Sequence, residues 1–249
     1  MAKEIHLKVR RQASPKDKPY WEEFKIPYEP QHNVISVLMR IRENPVNTAG
    51  KRVEPVVWEA NCMEEVCGAC SMIINGVPRQ SCATLIDNLE QPITLEPLSK
   101  FPVVRDLQID REKMFNALRM VKAWIQIDTV HDIHQGSPRM DPAVAQERYV
   151  YSRCMTCGCC MEACPQFHDN SKFIGPAPLG QVAMHNKHPT GAYHKSERLH
   201  AIMGDGGITD CGNAQNCVQV CPKEIPLTTG IGELSRDTTI QWFKDLLRK

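Results

Sequence analysis

Two cysteine-rich stretches constrain what this chain can fold into more than any other feature of its sequence. Residues 154–165 read CMTCGCCMEACP, and residues 211–222 read CGNAQNCVQVCP. Both follow the spacing CxxCxxCxxxCP, except that Ala214 occupies the position of the middle cysteine in the second stretch. A third group lies within residues 62–82, and the chain has twelve cysteines in all. Cysteines grouped in this way indicate metal ligation rather than disulfide bonds.

The CxxCxxCxxxCP spacing is typical of bacterial two-cluster ferredoxins, in which the fourth cysteine of each run binds the other cluster. Applied to this chain, the rule predicts a 4Fe-4S site with the ligands Cys154, Cys157, Cys160 and Cys221. The other site receives Cys164, Cys211 and Cys217, and position 214 offers it only an alanine. Because alanine cannot bind iron, and a cluster that lacks one corner ligand tends to lose that iron, we predict a 3Fe-4S cluster there.

The first cysteine group predicts a 2Fe-2S cluster. Its ligands would be Cys62, Cys67, Cys70 and Cys82, with four, two and eleven residues between them. The CxxxxCxxC opening is that of plant-type two-iron ferredoxins, although the last cysteine comes much sooner here. Gly68 and Ala69 suit a tight loop whose amides approach sulfur. A structural zinc site is the alternative, but zinc modules usually present two short CxxC pairs.

Cys159 is left over after these eleven assignments. Adjacent cysteines in a tight loop cannot easily both point at one cluster. We therefore expect Cys159 to pack in the interior rather than to bind a cluster.

The residue pattern predicts an α+β fold with two domains, residues 1–106 and residues 107–249. Alternating or short apolar runs predict strands at residues 5–10, 22–27, 53–60, 71–76 and 93–98. Apolar residues at helical spacing predict one helix in the first domain, at residues 33–43. The second domain is expected to be nearly all helical, with helices at residues 110–127, 142–153, 178–188, 196–203 and 232–249.

Composition and missing motifs limit the possible functions. The formal net charge of +1, with 24% charged residues, gives no sign of an electrostatic grip on nucleic acid. The first residues lack the pattern of a secretory signal and no apolar run could span a bilayer, so we expect a cytosolic chain, soluble or peripheral to a membrane. No nucleotide-binding motif is present, and no catalytic residue is assigned. The chain is therefore predicted to pass electrons for chemistry that takes place on a partner.

Taken together, these motifs resemble the iron-sulfur subunits of succinate dehydrogenase and fumarate reductase along essentially the whole chain. That family carries CxxxxCxxC with a fourth cysteine after eleven residues, then CxxCxxCxxxCP, then Cx5CxxxCP. The stretches EEVCGACSMIING, KFIGPAPL, HPTG and NCVQVCPKEIPL look most like the menaquinone-linked Gram-positive branch. The resemblance implies a β-grasp 2Fe-2S ferredoxin domain followed by an α-helical ferredoxin domain that holds 4Fe-4S and 3Fe-4S clusters.

The resemblance also implies partners and a place in the cell. Electrons would pass from the FAD of a flavoprotein subunit through the three clusters to quinone at a membrane-anchor subunit, on the cytoplasmic side of the cell membrane. Ubiquinone-reducing members carry two tryptophans after the first CP and a histidine after the residue that matches Cys211. Here the segment reads QFHDN, and Gly212 follows Cys211. This departure favours a low-potential quinone such as menaquinone.

Three other functions are compatible with parts of this pattern. A fumarate reductase subunit would use the same clusters in the reverse direction. A cluster subunit of another flavin dehydrogenase, or of a heterodisulfide reductase, would share the paired CxxCxxCxxxCP runs, although Ala214 and the eleven-residue spacing weigh against it. A zinc-stabilised binding module would have no redox role.

Overall fold

The computed structural model describes residues 4–125, 134, 136 and 139–248. The chain divides into two compact units that do not follow simple sequence order. The first unit runs to Arg111 and also includes Met155–Glu162, whereas the second includes Glu112–Cys154 and the chain from Ala163 onward. The predicted division at residue 106 stays a prediction.

A five-stranded mixed sheet forms the centre of the first unit. Its strands are β1 (Glu4–Arg11), β2 (Tyr20–Pro27), β3 (Ser71–Ile74), β4 (Val77–Gln80) and β5 (Ile93–Glu96). They are arranged in the order β2-β1-β5-β3-β4, in which β1 and β5 are parallel and the other neighbours are antiparallel. Alternate side chains of β1 are buried, as the period of two in its sequence predicts. A short pair, β6 (Val103–Arg105) and β7 (Gln108–Ile109), lies outside this sheet.

Helix α1 (Val34–Glu43) completes the core of the first unit. Asn33 precedes it as the N-cap, and its side-chain oxygen accepts a hydrogen bond of 2.8 Å from the Ser36 amide. Its apolar face is fully buried together with the inner face of the sheet, for example at Val37, Leu38 and Leu7. A mixed sheet with one helix after its first hairpin is the β-grasp arrangement that was expected.

The strand predicted at residues 53–60 is wrong, because none of these residues lies in a strand. Its backbone groups bond to buried charged side chains instead. The Arg11 guanidinium donates to the Glu54 carbonyl over 2.9 Å, and Asp106 accepts from the Val57 amide over 3.0 Å. Arg11 also pairs with Asp106 and with Glu22, and all three side chains are buried. The ion cluster thereby fixes the segment that leads to Cys62.

The second unit is helical. Its helices are α2 (Glu112–Met120), α3 (Pro142–Ser152), α5 (Pro176–Asn186), α6 (Lys195–Met203), α7 (Asn216–Gln219) and α8 (Leu227–Leu247), while the short α4 (Cys159–Glu162) belongs to the first unit. Helix α5 packs against α3 and α8, and α6 packs against α8. The helices predicted at residues 142–153, 178–188 and 196–203 are confirmed, and α8 begins five residues earlier than predicted, at Leu227 rather than residue 232.

Helix α2 is shorter than the predicted span of residues 110–127, of which the last two lie outside the described residues. The chain turns at Lys122, which has a positive φ of 51°. The guanidinium of Arg198, a fully buried side chain, accounts for this turn because it donates to the carbonyls of Lys122 and Trp124 over 3.1 and 3.0 Å. These bonds satisfy carbonyl groups that a longer helix would have used internally.

Across the described part of the chain, no helix combines the length and the apolar composition that crossing a membrane requires.

Candidate iron-sulfur sites

The β3–β4 hairpin positions two of the four cysteines predicted to bind the 2Fe-2S cluster. Cys70 directly precedes β3, and Cys82 follows shortly after the end of β4. Because Ser71 and Gln80 are paired across the hairpin, both cysteines lie at the same end of it, and their Sγ atoms are 3.4 Å apart. Both side chains are buried, and burial raises the pKa of the Cys70 thiol to about 12.

The other two cysteines lie in a loop whose backbone amides point at sulfur. The amides of Val66 and Cys67 donate to the Sγ of Cys62 over 3.2 and 3.3 Å, and the Glu65 amide donates to the Sγ of Cys82 over 3.3 Å. Amides of the loop, that of Glu64 first, lower the pKa of the Cys62 thiol to about 7. Amide donors around four thiols are what a bound iron-sulfur cluster needs, so this donor set fits a 2Fe-2S cluster.

Gly68 allows this loop to approach another segment of the same unit. Its φ is +73°, and a Cβ built on it would lie 2.7 Å from the Met155 carbonyl oxygen and 2.9 Å from the Cys157 Cα. No other residue type fits such an approach without moving backbone atoms. The sequence singled out Gly68 for the access of amides to sulfur, whereas the structure adds that it lets the 2Fe-2S loop pack against residues 155–157.

The four cysteines predicted to bind the 4Fe-4S cluster are divided between the two units. Cys157 and Cys160 lie in the first unit, whereas Cys154 and Cys221 lie in the second. Within the first unit, a hydrogen bond from the Cys159 thiol lowers the pKa of Cys157 to about 7. Within the second unit, the Ile225 amide donates to the Cys221 Sγ over 3.5 Å.

The three cysteines predicted to bind the 3Fe-4S cluster lie together in the second unit. Cys164, Cys211 and Cys217 line one small cavity, and Ala214 lines the same cavity. Burial, followed by the proximity of Cys164 and Cys211, raises the pKa of the Cys217 thiol to about 11. The thiols and the position without a cysteine therefore share one site, which fits a cluster with three protein ligands.

The loop of residues 211–217 is wound tightly around this cavity. Asn213 and Gln215 have positive φ values of 51° and 64°, and asparagine tolerates this left-handed conformation better than most residues. The Asn216 side-chain amide donates to the Ala163 carbonyl over 3.0 Å, which joins the loop to the segment that carries Cys164. The two ligand segments are thus held together by a hydrogen bond that does not depend on iron.

All twelve cysteines lie among the described residues, and none is part of a disulfide. Cys159 is fully buried, as expected, but its environment is partly polar, because the Gln80 side-chain amide lies 3.6 Å from its Sγ. Sequence reasoning did not identify Gln80 or Arg111 as part of the sites. Arg111 donates to the Ala69 carbonyl of the 2Fe-2S loop over 3.0 Å and pairs with Glu59. Neither residue stands in a recognisable motif, so no signal in the sequence pointed to them.

In the described ranges, no group of three or more His, Cys, Asp or Glu side chains is placed to hold a single metal ion.

Comparison with known proteins identifies both cysteine-containing regions. Residues 6–116 match the family described as a 2Fe-2S iron-sulfur cluster binding domain, and residues 150–225 match a 4Fe-4S dicluster domain. A chain of the Mycobacterium smegmatis Sdh1 complex in the apo form shares the fold, with a TM-score of 0.80 at 22% identity over 98% of both chains. The predicted α+β fold, a two-iron ferredoxin domain followed by a helical cluster domain, is confirmed. The zinc-stabilised module finds no support among these matches.

Two curated relatives extend over nearly the whole chain. The succinate dehydrogenase iron-sulfur subunit of Bacillus subtilis is 59% identical over 243 residues, which cover 98% of this chain and 96% of the relative. The fumarate reductase iron-sulfur subunit of Wolinella succinogenes is 34% identical over 222 residues, which cover 88% and 90% of the two chains. With identity of this extent and the cluster-binding regions in the same order, the chain belongs to the family of iron-sulfur subunits of succinate dehydrogenase and fumarate reductase.

Proposed function

We propose that this chain relays electrons from the FAD of a flavoprotein subunit to menaquinone at a membrane-anchor subunit, in the direction of succinate oxidation. The observation that carries the proposal is the 59% identity, over 98% of the chain, to a subunit whose name assigns it to succinate dehydrogenase. The electrons would pass through a 2Fe-2S, a 4Fe-4S and a 3Fe-4S cluster in that order. The chain would lie peripherally on the cytoplasmic side of the cell membrane.

The ligands in this proposal are the eleven cysteines assigned from their spacing. The 2Fe-2S ligands are Cys62, Cys67, Cys70 and Cys82; the 4Fe-4S ligands are Cys154, Cys157, Cys160 and Cys221; the 3Fe-4S ligands are Cys164, Cys211 and Cys217. When bound, such clusters accept and pass single electrons, which none of the twenty amino-acid side chains does readily. The amides that point at the sulfurs of Cys62 and Cys82 support the first set.

The chain's own residues exclude a fourth protein ligand from the last centre. Ala214 lines the same cavity as Cys164, Cys211 and Cys217 and presents a methyl group where the second motif would otherwise have a thiol. A three-iron centre carries fewer thiolate ligands than a four-iron centre. Fewer negative ligands favour reduction of the centre, which suits the last acceptor before quinone.

Menaquinone is proposed on the basis of the segment after Cys164 and of the residue after Cys211. A Cβ built on Gly212 would lie 2.5 Å from the Gln166 side-chain nitrogen, so Gln166 occupies the space that a larger residue 212 would need. In ubiquinone-reducing members, the resemblance places two tryptophans in the segment after the first CP and a histidine at the position of Gly212. The pairing of Gln166 with Gly212 supports a site built differently from theirs.

The proposal is tested on the assembled complex purified from membranes. Electron paramagnetic resonance of the oxidised complex should show a 3Fe signal. Addition of succinate should produce the signal of a reduced 2Fe-2S cluster, and a stronger reductant should produce that of a reduced 4Fe-4S cluster. Succinate should reduce a menaquinone analogue. Because no flavin site is assigned in this chain, the purified subunit alone should not pass electrons from succinate to a dye. Succinate oxidation by the isolated subunit, or the absence of one of the three signals, would contradict the proposal.

Fumarate reduction is the second candidate, because a fumarate reductase subunit is 34% identical over 88% of this chain. The two directions use the same chain of clusters and differ in the driving force between dicarboxylate and quinone. Rates measured in both directions with the same menaquinone analogue distinguish them. A faster fumarate reduction with menaquinol than succinate oxidation with menaquinone would favour the second candidate.

A further inference from the structure

Arg111 lies where two cysteine-bearing segments of the first unit meet. Its Nη2 atom donates to the Ala69 carbonyl of the predicted 2Fe-2S loop over 3.0 Å. Next to Ala69, a Cβ built on Gly68 would lie 2.9 Å from the Cys157 Cα. All four residues belong to the first unit. One guanidinium therefore contacts the predicted 2Fe-2S loop at the point where that loop packs against a predicted 4Fe-4S ligand.

The charge of Arg111 is poorly screened by solvent. Its side chain is only 14% exposed, and a charge that is largely buried acts on its neighbours more strongly than one in water. Its ionic partner among the described residues is Glu59, whose Oε2 lies 2.5 Å from the Arg111 Nη1. The Glu59 side chain is 33% exposed and also accepts from the Gln108 side chain over 3.2 Å. The carboxylate is more exposed than the guanidinium, so the positive charge dominates on the side of Ala69.

One nitrogen of Arg111 has no hydrogen-bond acceptor in the part of the chain that the structure describes. This atom, Nε, is buried. A buried donor without an acceptor costs about 1–3 kcal/mol, and more when the group is charged. A negative group nearby lowers this cost, and a cluster held by thiolates is such a group. The unpaired donor therefore fits a protein that carries clusters beside this arginine.

Cys157 responds to the charge of Arg111. A hydrogen bond from the Cys159 thiol is the main cause that lowers the pKa of Cys157 to about 7, and the charge of Arg111 adds to this lowering. A cation that favours negative charge on this sulfur also favours the negative charge that reduction adds to a cluster. The contact with Ala69 brings the same cation to the 2Fe-2S loop, where the Ala69 amide donates to the Cys67 Sγ over 3.5 Å.

We propose that Arg111 is a buried cation shared by the 2Fe-2S and 4Fe-4S centres, that it raises the reduction potentials of both, and that Glu59 limits this effect. The proposal rests on the proposed function, because it takes Cys67 and Cys157 as ligands. Each centre takes up one electron on reduction, and no bond to Arg111 forms or breaks. The arginine acts through its charge, which stabilises the more negative, reduced state of each centre.

The first test is the Arg111→Gln variant of the assembled complex, with redox titrations of the 2Fe-2S and 4Fe-4S signals by electron paramagnetic resonance. Glutamine removes the charge and keeps a donor group. We expect both signals to keep their intensity. Both midpoint potentials should fall, by roughly a tenfold change in the one-electron reduction equilibrium, which is about 59 mV. Unchanged potentials would overturn the proposal.

Glu59→Gln tests the opposite sign. It leaves Arg111 without its anionic partner, so both potentials should rise, while the glutamine oxygen can still accept a hydrogen bond from the guanidinium. Because this variant keeps the arginine, it also tests the proposal if Arg111→Gln does not assemble. A fall or no change in either potential would contradict the proposal.

Arg111→Lys separates the charge of the side chain from its hold on the loop. Lysine keeps the positive charge but cannot reproduce the two-armed contact of the guanidinium with Ala69 and Glu59. Its potentials should stay closer to those of the wild type than to those of Arg111→Gln. A fall as large as that in Arg111→Gln would show that the arginine only holds the loop, and would overturn the proposal.

Arg10→Gln is the matched control. Arg10 pairs with Glu96 over 3.0 Å in the same unit, but its side chain is 41% exposed. Solvent and salt screen an exposed charge, so each reduction equilibrium should change by less than about twofold. A fall as large as that in Arg111→Gln would indicate a general effect of net charge and contradict the proposal.

The outcomes separate this inference from the proposed function. Absence of the 2Fe-2S or the 4Fe-4S signal in the wild-type complex would contradict the proposed function and the inference together. Wild-type signals whose potentials stay the same in Arg111→Gln and in Glu59→Gln would contradict the inference alone.

Discussion

The two units hold their cysteines in different ways. In the first unit, the four cysteines proposed to bind the 2Fe-2S cluster come from one stretch, residues 62–82, and amides of that same stretch donate to sulfurs of this set. In the second unit, the three cysteines proposed to bind the 3Fe-4S cluster come from two separate segments, which the bond between Asn216 and the Ala163 carbonyl joins. A local loop sets the geometry of the first site, whereas tertiary packing sets that of the second.

The buried polar groups of the two units differ as well. The first unit buries a cation with two anions, since Arg11 pairs with both Glu22 and Asp106. In the second unit, Arg198 is fully buried and donates to backbone carbonyls, and His185 is also buried. Charge pairing therefore stabilises the fold of the first unit. The second unit is instead sensitive to acidification, because its buried His185 can gain a proton.

Replacement of Cys221 by serine should have the largest effect, because it tests whether ligands are exchanged between the two motifs. Cys221 belongs to the second motif but is assigned to the 4Fe-4S centre of the first. Cys221→Ser should therefore abolish or severely damage the 4Fe-4S signal while the 2Fe-2S signal remains. Electron transfer from succinate to quinone should fall to near zero.

Cys159→Ser is the control for Cys221→Ser, since it changes a cysteine of the first motif that is not assigned to any cluster. It should retain all three signals in electron paramagnetic resonance. Loss of the 3Fe signal instead of the 4Fe-4S signal in Cys221→Ser would show that the exchanged assignment is wrong.

Replacement of Ala214 by cysteine should make the second cysteine motif match the first. It gives the site of Cys164, Cys211 and Cys217 a fourth thiol. The cavity is lined by Ala214 and the three cysteines, so the new thiol would face the same space. With iron available, we expect a 4Fe-4S cluster whose potential is lower, because an added thiolate makes the centre more negative. Quinone reduction should slow while succinate-to-dye activity is largely kept. A full-intensity 3Fe signal in the oxidised variant would contradict this prediction.

Arg11→Met tests the contribution of the buried ion cluster to the first unit. It would leave Glu22 and Asp106 buried without their cation, and loss of one member of a buried pair costs about 3–5 kcal/mol of unfolding free energy. Urea unfolding monitored by far-ultraviolet circular dichroism measures the change. Lys172→Met, which breaks the exposed pair with Asp205, is the control and should change the free energy by less than about 1 kcal/mol. An equally small effect of Arg11→Met would contradict the prediction.

Acidification should have the smallest of these effects, and it concerns the second unit. Burial, followed by the charge of Arg198, lowers the pKa of His185 to about 4. The unfolded chain, with an ordinary histidine pKa, binds the proton first as the pH falls below about 6.5, so the free energy of unfolding decreases from there toward pH 4. Between pH 7.5 and 5.5 we expect a loss of about 1 kcal/mol from this residue. Over the same pH range, the free energy of unfolding of His185→Gln should fall by about 1 kcal/mol less than that of the wild type. An unchanged pH dependence in this variant would contradict the assignment of the effect to His185.

Sequence reasoning succeeded where the signal is local. The alternating pattern of β1 and the helical spacing of Val34, Val37, Leu38 and Ile41 in α1 predicted elements that the structure confirms. It failed at residues 53–60 and at the end of α2, where Arg11 and Arg198 bind backbone groups from distant positions in the chain. A buried arginine that binds a remote carbonyl leaves no periodic trace in the segment it binds.

The proposed cluster chemistry can be inferred from the amino-acid sequence, because iron ligation depends on residue type and on spacing over a few residues. It also contained Ala214, the one substitution that distinguishes the two motifs. The surroundings of the sulfurs are visible only in the folded chain: the close approach of Gly68 to residues 155–157, and the contacts of Gln80 with Cys70 and Cys159. Hydrogen bonds and burial around a ligand come from segments that are far apart in sequence, and only folding brings these segments within bonding distance.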